Sequence, residues 1–433
     1  MAVAATRRAL RTPLAAAPRH LQFASTTPPF ADRLNATLIA EALSLPAHVR
    51  TTDVTGSLRA GLGALRDALE SGRSSIVVAA DKRRARPASA HELTLGDGSA
   101  AFVVSEDAPV ARLLGSRSLC LDFTDHYRAS GSPTDYYLEE RWRRDEGHLK
   151  ILPELLQELL AQHQIPGAQV DHLILAGVPN RTARLIAQRC GIRCEALIDD
   201  FHAECGDTGN AHSLMLLAHA LQLAKPGERI LVSAFGQGGE ALLLVASEHI
   251  NRARSYTGLS AALATGMEDH NYLRYLSFSG LVELDWGIRA ERDTRTAQPA
   301  FYRHRKTTTA FIGGRCTVCG TRQFPRSRVC ANPACRQVDC QLDEPLRDAA
   351  AQVRSFTEDW LAVCANPPLM YGNVSLGGGA VAMLEFTDFS SGELQIGTPL
   401  SLQFRIKDHD PKRGFTRYCW KAAPADDPTP TST

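Results

Sequence analysis

The sequence predicts a layered α/β protein built on an internal duplication and followed by a small β-rich module. Three observations lead there. Up to about Glu248, short apolar runs alternate with helical patterns, the alternation that packs helices against sheets. After Pro109 the alternation starts again in a similar order, and beyond about Pro299 it gives way to cysteine knuckles and glycine-punctuated β runs.

In the first half, residues 1–108, "HLQFAST" reads as a strand, "ADRLNATLIAEAL" as a helix and "RTTDVTG" as a strand. "SLRAGLGALRDALESG" then reads as a helix, and "SSIVVAAD" and "SAAFVVSE" as strands. In the second half, residues 109–250, "SLCLDFTDH" and "VDHLILAG" are expected strands, and "LKILPELLQELLAQH", "RTARLIAQRCG" and "HSLMLLAHALQLAKPG" helices. "RILVSAFG" and "EALLLVAS" close it as strands. "GDGSAAFVV" and "GQGGEALLLV" occupy equivalent places across glycine-rich turns, which is the sign of duplication. Residues 251–310 read as a linker with a docking helix, 311–345 as a zinc ribbon, 346–423 as a small OB-type barrel, and 424–433 as a disordered tail.

A chain of 433 residues exceeds what one core usually serves, so several domains are expected. Lysine plus arginine (48) nearly equals aspartate plus glutamate (47), so no global field draws the chain to nucleic acid or an anionic membrane. No apolar run approaches the roughly 20 residues that span a bilayer. Eleven cysteines, four of them paired, fit a metal site in a reducing compartment, so a cytoplasmic location is expected. Against this, Arg7, Arg8, Arg11 and Arg19 all precede the first acidic residue, Asp32, as in a mitochondrial transit peptide. A surface helix followed by a strand explains the same residues.

"CTVCGTRQFPRSRVCANPAC" carries the strongest chemical signal. Cys316 and Cys319 form one knuckle, with Gly320 at the turn, and Cys330 and Cys335 form a second. Four thiolates in two knuckles suit a tetrahedral structural zinc, with no open position for catalysis. Iron would accept the same ligands, and Cys340 is the alternative to Cys335. In the barrel that follows, Arg354, Arg405, Lys407, Lys412, Arg413 and Arg417 stand with Phe356, Phe415, Tyr418 and Trp420. Such a set suits either single-stranded nucleic acid or the phosphates and adenine of a nucleotide such as coenzyme A.

The motifs "FASTTPPF", "DVTGSLRAGLGALRDALESG", "VVAADKR", "GDGSAAFVV" and "GDTGNAHSLMLLAHALQLAKPGERILVSAFGQGG" decide between these. Over roughly Ala2 to Ser247 the chain resembles the thiolase superfamily, in its hydroxymethylglutaryl-CoA synthase and ketoacyl-ACP synthase III branch. From about Pro299 to Ala422 it is similar to the zinc-ribbon and OB-fold proteins that accompany thiolases and bind acyl-CoA. The resemblance implies a cysteine nucleophile, with a histidine and an asparagine donating to the carbonyl oxygen. The cysteine position falls on Leu58, the histidine position on Gly177 with Asn180 of that motif retained, and the asparagine position on Asp207.

These departures imply a catalytically silent member, a scaffold or substrate-presenting subunit that binds acyl-CoA for a thiolase-type enzyme in a homo- or hetero-oligomer. Gly236, Gly238 and Gly239 would let backbone approach the coenzyme, although a plain hairpin turn explains them equally. The alternative is an active acyltransferase, synthase or retro-aldolase with relocated groups, for which Ser57, Cys205 and Asp207 are the candidates. His172, His202 and His212 are read as structural or exposed. A nucleic-acid-binding ribbon and barrel is the third reading, disfavoured by the balanced charge. The resemblance further implies a strand and helix region ahead of the chain's first residues. Either Met1 is an internal methionine, or the first sheet lacks a strand and leaves apolar surface for a partner.

Overall fold

A computed structural model of the chain describes residues 1–11, 17–285, 297–364 and 366–425. The expected tail thus lies, from residue 426 on, outside the described residues, as does part of the linker. The chain divides into two compact units, one of residues 1–37 and 46–282, the other of 38–45 and 283–433.

Apart from residues 38–42 of α2, which belong to the second unit, the first unit opens with α1 (Ala2–Ala9), β1 (His20–Ala24), α2 (Asn35–Ala42), β2 (Arg50–Val54), α3 (Ala60–Ser71), β3 (Ser75–Lys82) and β4 (Asp97–Val104). These strands form a sheet in the order β2-β1-β3-β4, parallel except for β4. Its second half contains β5 (Ala111–Cys120), the two-residue pair β6 (His126–Tyr127) and β7 (Tyr136–Tyr137), α4 (Glu140–Trp142) and α5 (Leu149–Gln162). It continues through β8 (His172–Ala176), α6 (Asn180–Arg189), α7 (His202–Cys205), α8 (Asn210–Leu223), β9 (Arg229–Phe235) and β10 (Gly238–Ala246). Here the order is β5-β10-β9-β8, with β8 parallel to β9 and β10 antiparallel to both of its neighbours.

The two sheets repeat one plan. The run β1-β3-β4 matches β8-β9-β10, and a bridge from Leu173 to Leu197 marks the place that β2 fills in the first sheet. They differ at one edge. β5 pairs with the outer side of β10, whereas among the described residues no strand pairs with the outer side of β4.

β5 corrects the expected strand over 118–126, because the observed strand begins seven residues earlier, at Ala111. It alternates half-buried and exposed residues along an edge, so it carries no apolar run for sequence patterning to detect. α3 and α8 form the centre. Leu62, Leu65 and Ala68 of α3 share one core with Ala211, Leu214, Leu217 and Leu221 of α8, and strands from both sheets contribute to it. Near-continuous apolar sequence in α8 follows from burial on several sides. α5 and α6 build a second core on the other face of the second sheet. α9 (Leu259–Ala264) and α10 (Tyr272–Phe278) occupy the expected linker, and the Asn271 side chain caps α10. No helix among the described residues is long and apolar enough to cross a membrane.

The second unit carries α11 (Gln298–Arg303), α12 (Arg305–Thr308) and a three-stranded sheet of β11 (Ile312–Cys316), β12 (Arg322–Gln323) and β13 (Gln341–Pro345). A five-stranded antiparallel sheet follows, of β14 (Ala351–Asp359), β15 (Leu369–Ser375), β16 (Val381–Glu385), β17 (Pro399–Asp410) and β18 (Phe415–Pro424), in the order β16-β15-β14-β17-β18. Its ladders leave the sheet open, and a single bridge from Phe386 to Ala422 links its two ends. The strand ladders alone do not close the expected small OB-type barrel.

Candidate functional site

Sequence at the head of α3 sets one wall of a cavity in the first unit. β2 ends at Val54, Gly56 takes a left-handed conformation at φ +96°, and the turn carries Leu58 up to the start of α3. Leu58 lines a cavity of about 30 Å³ together with Gly177, Asp207, His212, Phe235 and residues of the segment between β5 and α5. The structure thus brings together the three positions Leu58, Gly177 and Asp207. It supplies no thiol at the first and no side chain at the second.

Asp207 is held by an extensive network. Its backbone bonds to residues 94–96 of the first half, with Asp207 N–H on the Thr94 carbonyl at 2.8 Å and Gly96 N–H on the Asp207 carbonyl at 3.1 Å. Its carboxylate receives the Arg83 guanidinium at 2.6 Å and the Gly209 N–H at 2.9 Å. Arg83, its side chain fully buried, also binds Asp135 at 3.1 Å and the Tyr137 hydroxyl, and Arg128 meets Asp135 at 2.8 Å. Burial opposes ionisation of Asp207, but Arg83 and His212 outweigh it and hold the carboxyl well below its usual range. The aspartate is a charge-balanced pin between the two halves.

Gly177 explains its own residue type. Its φ is +71°, and a Cβ there would lie 3.6 Å from the Asp207 carboxylate.

Ser57 donates to the Gly236 carbonyl at 3.1 Å, and no histidine is among its partners. Cys205 lies against the Phe201 carbonyl at 3.3 Å, and burial, with Glu204, Asp200 and Asp207 nearby, pushes its thiol up to about 11. Neither has the activated form that a nucleophile requires. Asn210 is fully buried, donating to Asp81 and accepting the Gly61 N–H at 2.8 Å. Asp81 also binds Ser25, Thr26 and Thr27, so this carboxylate ties the two halves. Asn180 is exposed at the start of α6, where it accepts from Arg184 at 3.1 Å. Gly236, Gly238 and Gly239 form a tight hairpin, in which added Cβ atoms would meet Ser57, the Leu119 carbonyl and Leu155 within 2.7 Å. His172 pairs with Glu228 at 2.9 Å, away from the cavity lining.

Sequence reasoning missed Asp125, Arg143 and His148, which line the same cavity. They come from the segment between β5 and α5, whose aromatics fix it in place. Phe123 stacks on Trp142 at 5.0 Å and meets Phe235 edge-on at 5.8 Å, and His148 meets Phe235 edge-on at 4.8 Å. Burial, reinforced by Arg143, pushes His148 down to about 4, and burial likewise lowers His212. Both imidazoles are neutral at pH 7. Asp125 stays ionised: burial works against it, but the bond from His126 at 2.9 Å and the Arg143 charge prevail.

In the second unit the four cysteines of the two knuckles converge. The Sγ atoms of Cys316, Cys319, Cys330 and Cys335 all lie within 4.8 Å of one another. Cys340 stands 3.4 Å from Cys316, as a fifth thiol at the edge of the cluster. An all-thiolate donor set at these distances fits a tetrahedral zinc or iron centre. Most basic residues of the five-stranded sheet are paired. Arg405 binds Asp388 at 2.8 Å, while Lys407 pairs with Glu385 and Arg417 with Asp408. Trp420 is buried and donates to the Thr309 carbonyl at 2.7 Å, so it offers no stacking face. This pairing removes much of the basic, aromatic groove that single-stranded nucleic acid would need.

Comparison with known proteins agrees with the first unit. The family profile of the 3-oxoacyl-[acyl-carrier-protein] synthase III C-terminal region matches residues 160–245. Hydroxymethylglutaryl-CoA synthase of Methanopyrus kandleri is 26% identical over 259 residues, which cover 58% of this chain and 73% of that protein. The enzyme of the same name from Aeropyrum pernix is 26% identical over 281 residues, 62% of this chain and 73% of that one. Among solved structures, HMG-CoA synthase complexed with CoA superposes with a TM-score of 0.56 at 15% identity, over 68% of this chain and 82% of its own. MvaS in complex with 3-hydroxy-3-methylglutaryl coenzyme A gives 0.54 at 20% identity, over 61% of this chain and 75% of its own. The fold of the first unit is the thiolase-like fold of these synthases.

Proposed function

We propose that this protein binds acyl-CoA thioesters without forming an acyl-enzyme, as a scaffold or substrate-presenting subunit for a thiolase-type enzyme. The observation that carries the reading is Leu58 at the cavity wall, in the same lining as Gly177 and Asp207. A leucine cannot attack a thioester, and the ionised Asp207 cannot donate to a developing oxyanion. Relatives named hydroxymethylglutaryl-CoA synthase, and a neighbouring structure complexed with CoA, support coenzyme A as the ligand. The cysteine cluster would hold a structural zinc through Cys316, Cys319, Cys330 and Cys335, with no open ligand position and no part in the reaction. The five-stranded sheet would be an OB-type module beside it.

The test is to incubate the purified full chain with acetyl-CoA, follow intact mass, and measure coenzyme A binding by calorimetry. Binding without an adduct is expected. A stoichiometric adduct mapping to Ser57 or Cys205 would replace this reading with an acyltransferase whose nucleophile has moved.

A further inference from the structure

The cysteine cluster of the second unit holds one more thiol than a tetrahedral centre uses. Metal–sulfur bonds of about 2.3 Å set the thiolates of such a centre about 3.8 Å apart. Cys316 and Cys335 stand 3.8 Å apart and Cys319 and Cys330 3.6 Å, as edges of that tetrahedron. Cys340 lies closer to Cys316 than such an edge, at 3.4 Å, and both residues are buried, at 8% and 1% exposure. Its sulfur also has contacts outside the tetrad, 3.3 Å from the Gln337 carbonyl and 3.6 Å from Gln341 Nε2.

The backbone keeps this pair together. Cys316 ends β11 opposite Gln341, the first residue of β13, and the Thr317 N–H bonds to the Cys340 carbonyl at 2.8 Å. Residues one step off register on neighbouring strands stay within the Cα separation that a disulfide spans. Closing the sulfurs from 3.4 Å to a bond of about 2 Å moves them together by about 1.4 Å. Cys319 is exposed, so a small oxidant meets the cluster from solvent.

We propose that Cys316 and Cys340 are an oxidation site, at which a hydroperoxide joins the two sulfurs and a disulfide replaces the metal as the link between β11 and β13. The proposal rests on the reading of Cys316, Cys319, Cys330 and Cys335 as metal ligands. In the step, the Cys316 thiolate gives up its bond to the metal and the S–S bond forms. Two electrons pass from the sulfurs to the peroxide, whose O–O bond breaks. The Cys340 proton goes to one of the peroxide oxygens, so hydrogen peroxide leaves as water and hydroxide. Joining two ligands, Cys319 with Cys330 or Cys316 with Cys335, would break two metal–sulfur bonds. Joining Cys316 with Cys340 breaks one, which favours this pair. The three thiolates that remain hold the metal less tightly, and it dissociates.

The test treats the reduced, zinc-loaded full chain with hydrogen peroxide, follows zinc release with a colorimetric indicator, and maps disulfides by peptide mass. Release of about one zinc equivalent is expected, together with a Cys316–Cys340 disulfide that lowers the mass by about 2 Da. Hydrogen exchange should show the ladder between β11 and β13 retained in the oxidised protein. Cys340→Ser should take up zinc as the wild type does and keep it at peroxide doses that empty the wild type. Equal release from both proteins, or a Cys319–Cys330 or Cys316–Cys335 disulfide in place of the expected one, would overturn the pair and leave the metal reading intact. A reduced wild-type chain that takes up no zinc would overturn both.

Discussion

Replacing Arg83 by methionine removes the centre of the buried network and tests whether Asp207 is a structural pin. The loss can be worked from the partners. Asp135 keeps Arg128 at 2.8 Å, whereas Asp207 keeps only the Gly209 N–H at 2.9 Å. Most of the cost therefore falls on one uncompensated carboxylate, and breaking a buried pair by removing one partner costs about 3–5 kcal/mol. Asp207→Asn in the Arg83→Met background removes the stranded charge and should recover about 1–3 kcal/mol. Because the chain has two units, the assay is native-state hydrogen exchange on peptides of β3 and α8 rather than a single melting curve. A loss below about 1 kcal/mol in Arg83→Met, or no recovery in the double variant, would refute the pin.

Three further outcomes are expected. His148 binds a proton at about 4 in the fold and near 6.5 once unfolded, so the unfolded chain holds more protons between those values. Its contribution to stability is complete above about pH 6.5 and is lost as pH falls toward 4, by up to about 3 kcal/mol, a slope that His148→Gln should flatten in pH-dependent unfolding. Leu58→Cys places a thiol at the head of α3, where the helix N-terminus favours the thiolate; slow acylation by acetyl-CoA should appear by intact mass in this variant and be absent from the wild type, while a wild-type adduct would contradict the silent centre. Chelation of the proposed metal should unfold the three-stranded sheet of β11, β12 and β13, with Cys330→Ser reproducing the loss. Cys340→Ser should retain about one metal equivalent by elemental analysis, and loss of the metal there would make Cys340 the fourth ligand.

Much of the first unit was legible because its strands and helices are buried. "SSIVVAAD" and "RILVSAFG" are continuous apolar runs, and they became the central strands β3 and β9. β5 was displaced because an edge strand shows no such run. β18 carries basic and aromatic residues that read as a binding groove, yet it buries Trp420 and pairs Arg417 with Asp408.

At the site, the motifs pointed to Leu58, Gly177 and Asp207, which do share one cavity. The partner of Asp207 was hidden, since Arg83 lies 124 residues away and reaches it only through the sheet arrangement. Asp125, Arg143 and His148 were hidden for a different reason. They sit in the polar stretch "DHYRASGSPTDYYLEERWRRDEGH", where no hydrophobic period exists and the decisive turn is π-helical. The available signal was the crowding of aromatic and charged residues in a connection far longer than the usual two to eight residues.

The energetics of the cavity argue against a centre that has simply decayed into inert packing. A buried polar atom left without a partner costs about 1–3 kcal/mol. Four on one lining with no partner among the described residues, Asp125 Oδ1, Arg143 Nε, His148 Nδ1 and His212 Nε2, would together cost about 4–12 kcal/mol, comparable to the whole stability of a domain. Apolar side chains on the segment between β5 and α5 would close the space at no such cost, and the aromatic wall of Phe123, Trp142 and Phe235 is already there to pack against them. Polar groups persist in such a place only if water or ligand oxygens complete their hydrogen bonds.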